Sequence, residues 1–325
     1  MQQPFFSIII PCYKSEAYIE EALQSILNQS FTNFECILVS DGSTGISKTD
    51  YIDSTKDRDY QNIFDFTLIS PKNQLKAIFD FITKGDSRFK FFQKENGGQG
   101  TAKNLAIDNS SGQFLLCLDS DDVYEPNHLE YIHSEIFKKN NKIENTVFLF
   151  DNLKEFYCEN SKKIFRSKPT IHQKPNYPTF ETYLVFNEVG TTFAVFKLDI
   201  LHPLRYTKNT KTMEDVEIFY LLASKFQKEG KKLNFDRISV DTVYHRLHLG
   251  SMTFADSQVG FEKEKIDKIN AYANLLENET LTFRQKVLCR LGIWRFSLVN
   301  KYSVFGKFLK KLLTCIAKII SGWYL

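Results

Sequence analysis

No Cys-x-x-Cys pair occurs in the chain. Its six cysteines stand apart at positions 12, 36, 117, 158, 289 and 315. That spacing argues against a zinc cluster or a disulfide framework and fits a reducing compartment. No apolar run reaches the roughly 18 residues a spanning helix needs, so no transmembrane segment is expected. The opening MQQPFFSIIIPCY has neither a basic stretch nor a small-residue cleavage site, and reads as no secretory signal. Internal repeats and low-complexity tracts are missing too. With 42% hydrophobic and 25% charged residues, these absences exclude a disordered or fibrous chain. What is plentiful is aromatic: 30 Phe and 15 Tyr among 325 residues. They can fill one large α/β domain with a smaller appendage.

Acidic residues are absent from one end. From Thr280 to Leu325 there are nine Lys or Arg and no Asp or Glu. The first 279 residues hold 33 basic against 39 acidic side chains, a balance of −6. Such a split points the tail toward an anionic surface, nucleic acid or phospholipid headgroups.

Phe6 to Ile10 is an unbroken apolar, β-branched run, as in a strand buried on both faces of a parallel sheet, and Pro11 is expected to end it. Ser15 can cap a helix in which Ile19, Ala22, Leu23, Ile26 and Leu27 recur at helical spacing. Phe34 to Val39 is a second buried strand, completing a βαβ unit. Residues 45–88 read as an insertion holding a helix over Leu75 to Ile82. Further strands are expected at Phe89 to Gln93, Phe114 to Leu118, Val147 to Phe150, Leu153 to Tyr157, Thr191 to Phe196 and Ser239 to Tyr244. Helices are expected from Gly100 to Ile107, with Pro126 in the first turn of the next one, from Met213 to Ala223 and from Ser257 onward. Lys168 to Pro178 reads as a loop.

The chemistry gathers where strands end. Asp119-Ser120-Asp121-Asp122 follows the strand LLCL. In an open α/β sheet, ligands bind outside the carboxyl ends of the strands. Clustered carboxylates there suit Mg²⁺ or Mn²⁺ shared with substrate phosphates. The competing reading is a plain turn with Asp122 capping the next helix. Asp41 also sits at a strand end, in an Asp-Gly-Ser sequence that commonly makes a turn. Asn96-Gly97-Gly98-Gln99-Gly100 opens a helix and can cradle phosphate with backbone N–H groups, or be an ordinary loop. Lys103, one turn on, can bring positive charge to a diphosphate. Glu214-Asp215 at a helix start either favours the helix dipole or forms a carboxylate pair able to act as a base.

Together these segments resemble family 2 glycosyltransferases with the GT-A fold, from about Ser7 to Phe254. SIIIPCYKSEAYIEEALQSILNQ is similar to the family's first nucleotide-side loop and implies that role for Pro11, Tyr13 and Glu16. FECILVSDGST implies that Asp41 contacts a uracil. NGGQGTAKNLAI resembles the family's Gly-containing loop and Arg-Asn pair, with Lys103 in place of the Arg and Asn104 kept. LLCLDSDD matches the metal-binding DxD, carried to Asp119 and Asp121. Glu214-Asp215 resembles the pair of inverting members, in which the Asp is the general base. YHRLHLGSMT resembles a basic segment, with Arg246 and His248 closing over the diphosphate. The implied architecture is a mixed, mostly parallel sheet flanked by helices over residues 1–255, with a helical region over 256–325. The implied activity is metal-dependent, inverting transfer of a sugar from a UDP-sugar to a glycan or lipid-linked glycan, in bacterial surface polysaccharide or lipo-oligosaccharide synthesis. Two alternatives stay open: a nucleotidyltransferase on a similar fold, for which PCYKSE offers only Lys14 to a triphosphate, and a non-catalytic protein bound at a membrane surface.

In the tail, Phe305, Phe308, Leu309, Leu312, Leu313, Ile316, Ile319 and Ile320 fall on one side of a helical wheel, and Lys307, Lys310, Lys311, Thr314 and Lys318 on the other. The pattern suits an anionic bilayer surface better than nucleic acid, and implies a peripheral protein on the cytoplasmic face of the plasma membrane. Packing of the apolar side on the domain is the alternative.

Overall fold

A computed structural model describes residues 3–47, 69–139, 144–150, 152–159, 162–169, 192, 194–206, 214–248, 258–277, 281–297 and 304–321. The elements run β1 (Phe6–Cys12), α1 (Ile19–Leu27), β2 (Phe34–Asp41), α2 (Pro71–Thr83), β3 (Phe89–Lys94), α3 (Gln99–Asp108), β4 (Phe114–Cys117), β5 (Val123–Tyr124), α4 (His128–Lys138), β6 (Thr146–Phe150), β7 (Asn152–Glu159) and β8 (Lys162–Pro169). There follow β9 (Ala194–Lys197), α5 (Leu198–Leu201), α6 (Glu214–Lys228), β10 (Asn234–Ile238), β11 (Val243–Arg246), α7 (Gln258–Leu276), α8 (Phe283–Ser297) and α9 (Val304–Ser321).

Seven strands form the main sheet in the order β10-β6-β9-β4-β1-β2-β3. β9 runs antiparallel to both its neighbours, and the other pairings are parallel. A smaller sheet has the order β5-β11-β7-β8. Alternate side chains of the central strands enter two cores. Ile8 and Ile10 of β1 with Cys36 and Leu38 of β2 face α1, α2 and α4. Ile9, Ile37 and Val39 face α3 and α6. Burial on both faces is why these strands are continuously apolar. Each such side chain contributes about 1.5–3 kcal/mol when fully buried. At the amino end of the sheet, buried Glu35 accepts from Ser7 Oγ (2.6 Å), the Ser111 N–H (2.5 Å) and Lys90 Nζ (2.7 Å).

Several boundaries differ from expectation. β1 continues through Pro11, because β4 is paired only as far as Ile9 and beyond it β1 has a neighbour on one side, where proline is tolerated. Ser15 does not cap α1 with its side chain; its hydroxyl lies 2.6 Å from that of Ser120. Pro126 precedes α4 instead of sitting in its first turn. β8 and β10 were not expected. The first two residues of the expected loop at Lys168 close β8, and the rest of that loop lies outside the described residues, as does 48–68 of the insertion.

The C-terminal helices extend one of the two cores. Tyr272, Leu275, Leu288, Cys289, Leu313 and Ala317 join the cluster that holds Phe219 and Leu222. Over its described side chains, which leave out Phe305, Phe308 and Leu309, the apolar side expected for the tail helix is therefore split. Leu313 packs inward, while Leu312, Ile316 and Ile319 stay exposed.

Candidate active site

The parallel strands β1, β2 and β4 deliver their carboxyl ends to one edge of the sheet. β4 is continued there by the Leu118 N–H donating to the Ile9 carbonyl at 3.0 Å, and the chain then turns through Asp119 to Asp122. Asp119 accepts from Thr192 Oγ1 (2.9 Å) and Gln99 Nε2 (3.3 Å). Burial, followed by the charge of Asp122, pushes its carboxyl up to about 7, with Lys103 opposing. Asp121 moves the other way. Burial would raise it, but the hydrogen bond and charge of His248 prevail and hold it below the usual carboxylate range.

β11 secures this turn from the side. His245 Nδ1 lies 3.1 Å from both oxygens of Asp122, and the Arg246 N–H donates to Asp122 Oδ1 at 3.0 Å. Burial alone would depress His245, yet Asp122 lifts it to about 9. Asp122 is thus tied to β11 and does not cap α4. Arg246 Nε donates to the Asp121 carbonyl (2.9 Å), and its guanidinium reaches Glu21 of α1 at 3.1 Å. His248 Nε2 lies 2.9 Å from Asp121 Oδ2, and its ring stacks on Tyr18 at 4.4 Å.

α3 gathers the remaining groups. Asp41, buried at the end of β2, accepts from Lys94 Nζ (2.5 Å) and from the N–H groups of Gly97 (3.0 Å) and Gly98 (2.8 Å). Its carboxylate therefore shapes the glycine loop. Gly42 beside it has φ +70°, and a Cβ there would lie 2.6 Å from the Asn96 nitrogen, so only glycine fits. One turn into the helix, buried Lys103 bonds Glu214 Oε1 (2.8 Å) and Asp215 Oδ1 (3.3 Å) at the start of α6. Burial pulls the ammonium down, but Asp215 and Glu214 hold it well above its ordinary value. Asn104 exchanges two 2.9 Å hydrogen bonds with the Tyr206 backbone. The Glu214 side chain is 6% exposed and that of Asp215 27%. Of the pair, Asp215 is the one open to a second molecule.

The loop after β1 lies beside the acidic turn, through the Ser15–Ser120 contact. Lys14, at φ +54°, donates its N–H to Ser43 Oγ at 3.1 Å. Tyr13 is exposed, whereas Glu16 is buried, and burial pushes its carboxyl up. Pro11 lies at the end of β1. The acidic turn bonds Arg246 and His248 on one side and Gln99 of α3 on the other; the same helix carries Lys103, which holds Glu214 and Asp215, and follows the glycine loop bonded to Asp41. Lys103, Asn104 and Arg246, read from the sequence as donor contacts, bond protein groups. His245, Gln99, Lys94 and Tyr18 were not singled out from the sequence; they enter through the pairing of β11, the start of α3, the end of β3 and the residue before α1.

Among the described residues, no three His, Cys or acidic side chains gather as a ready-made metal cage. Asp119 and Asp121 still suit a hard cation, since Mg²⁺-type sites commonly use one or two carboxylates and complete their shell with substrate phosphates and water.

Comparison with known proteins agrees with this architecture. The family model for glycosyl transferase family 2 matches residues 7–63 and 70–199, more than half of the chain. An uncharacterized glycosyltransferase of Rickettsia bellii is 32% identical over 166 residues, covering 51% of this chain and 19% of that protein. The minor teichoic acid biosynthesis protein GgaB of Bacillus subtilis is 23% identical over 346 residues, covering 98% of this chain and 34% of that protein. The chain therefore spans about a fifth to a third of the length of these relatives. Among solved structures, S. aureus TarS 1-349 in complex with UDP-GlcNAc superposes with a TM-score of 0.60 at 17% identity, over 97% of this chain and 81% of that one. The mannosyltransferase PcManGT of Pyrobaculum calidifontis, in complex with GDP-Man and Mn²⁺, gives 0.53 at 12% identity, over 99% and 76%. The mostly parallel sheet with its flanking helices is a GT-A-type fold. The chain belongs to glycosyl transferase family 2.

Proposed function

We propose that the chain transfers a sugar from a UDP-sugar to a glycan hydroxyl with inversion at the anomeric carbon. The observation that carries this reading is the Asp215 carboxylate, partly open to solvent and held by Lys103 of the helix whose first turn also bonds Asp119. In one displacement, Asp215 takes the proton of the acceptor hydroxyl, the hydroxyl oxygen bonds to the anomeric carbon, and the bond from that carbon to the diphosphate breaks and releases UDP. Positioned general bases contribute about 10²–10⁴-fold. Lys103 and Glu214 orient Asp215, and Asp41 fixes the glycine loop at the N-terminus of α3, where the helix dipole favours the donor's diphosphate. A Mn²⁺ or Mg²⁺ on Asp121 and Asp119 supplies charge neutralisation for the leaving diphosphate. The complexes of TarS with UDP-GlcNAc and of PcManGT with GDP-Man and Mn²⁺ support the donor class and the cation. The teichoic acid role in GgaB's name supports an acceptor in surface polysaccharide synthesis, met as a glycan or lipid-linked glycan at the cytoplasmic membrane face.

The test is a transfer assay over a panel of UDP-sugars, with the product anomer read by NMR. Asp215→Asn is expected to lose at least about 10²-fold in kcat, and the wild-type product to be inverted. Unchanged turnover in that variant, or a retained anomer, overturns the reading.

A further inference from the structure

We infer that α8 and α9 form a docking face for an anionic bilayer, with Leu312, Ile316 and Ile319 entering the headgroup region. This deepens the membrane side of the proposed function but does not rest on the transfer chemistry, and binding is measured without any turnover.

A helix that merely packs on a domain turns its polar side outward. α9 is instead apolar outward as well as inward over its described side chains. Leu312 (46% exposed), Cys315, Ile316 (36%) and Ile319 (67%) point outward at i, i+3, i+4 and i+7, while the domain receives Leu313 and Ala317. α8 adds Phe283 (81% exposed) and Trp294 (56%). They are eleven residues apart, about three turns, so both lie on one side of that helix. Arg284 Nε donates to the Ile320 carbonyl, which brings the start of α8 to the end of α9. Aromatic and aliphatic groups of this kind are what an interfacial helix buries at the headgroup boundary.

Charge selects the occupant. This apolar surface lies within Thr280 to Leu325, which has nine cations and no acidic residue, and anionic headgroups complement such a segment. A second copy placed on the same face would set cation against cation. No helix among the described residues is long and apolar enough to cross a membrane, so the contact proposed is with the surface.

The experiment is flotation of the full chain with vesicles of phosphatidylglycerol and phosphatidylcholine, against phosphatidylcholine alone. Wild type is expected to float with the anionic vesicles, to release as salt rises, and to bind the neutral ones at least about tenfold more weakly. The double variant Ile316→Ser, Ile319→Ser and, separately, Phe283→Ser, Trp294→Ser should each reduce flotation at least about tenfold. Their exposure leaves the core intact, and unchanged thermal melting confirms this. Two outcomes overturn the inference. One is a wild type that stays unbound, or variants that bind like wild type. The other is a dimer by sedimentation that the same substitutions dissociate, with no vesicle binding, which would give the face to a second copy.

Discussion

The Lys103 ammonium lies 2.8 Å from a Glu214 carboxylate oxygen, and the two side chains are 1% and 6% exposed. The contact joins residues 111 positions apart. It pins the start of α6, and with it Asp215, to the helix that follows the glycine loop. A buried charge without its partner is costly, so the pair acts as a clamp that either holds or fails as a unit.

Lys103→Met is therefore expected to destabilise the fold by about 3–5 kcal/mol. Adding Glu214→Gln should recover part of that loss, because the stranded carboxylate is then neutral. Chemical denaturation of the two single variants and the double variant measures the coupling, expected at about 1 kcal/mol or more. Strict additivity would contradict the pairing.

Asp41 restrains the glycine loop through Lys94, Gly97 and Gly98. Asp41→Ala should release that loop and raise KM for the donor about tenfold or more, with a smaller fall in kcat. Three lost hydrogen bonds, one of them to a cation, make that magnitude reasonable. Steady-state kinetics with varied donor separates the two parameters.

Glu35 governs a pH response away from the site. Burial pushes its carboxyl up, but Lys90, Ser7 and Ser111 outweigh burial and hold it below the usual range. A depressed folded-state value stabilises the protein above the unfolded-state value, near 4.3, and that stabilisation disappears as pH falls through the folded value. Glu35→Gln should cost about 1–3 kcal/mol at neutral pH, since buried donors lose their charged acceptor. The gap to wild type should narrow as the pH drops below about 4. Denaturation at pH 7, 5 and 3.5 tests the sign.

The sequence was most informative where one physical cause dominates. β1 and β2 could be read because both faces are buried; three carboxylates in one turn made Asp119 to Asp122 stand out, but did not reveal that Asp122 ties the turn to β11. β8 could not, because KKIFRSKP carries four basic residues and its alternation is masked by charge. Lys103 stood out in the sequence as a diphosphate contact; its ion pairs with Glu214 and Asp215 were not readable, since the pairing depends on how α3 meets α6. His245 went unread for a similar reason: the pairing of β11 with β5 and β7 decides which of its side chains meets Asp122. A helical wheel groups Leu312 with Leu313, and only packing against α8 separates the inward residue from the outward one.

The most direct measurement is the thermal melting of the full chain with a panel of UDP-sugars, each with and without Mn²⁺. If the acidic turn, the glycine loop and the Glu214–Asp215 pair make one donor site, a UDP-sugar at 100-fold its Kd stabilises by about 2.7 kcal/mol, a shift of a few degrees. That shift requires the cation and weakens in Asp121→Asn. If no nucleotide sugar moves the transition, with or without the ion, these residues do not form the site proposed for them.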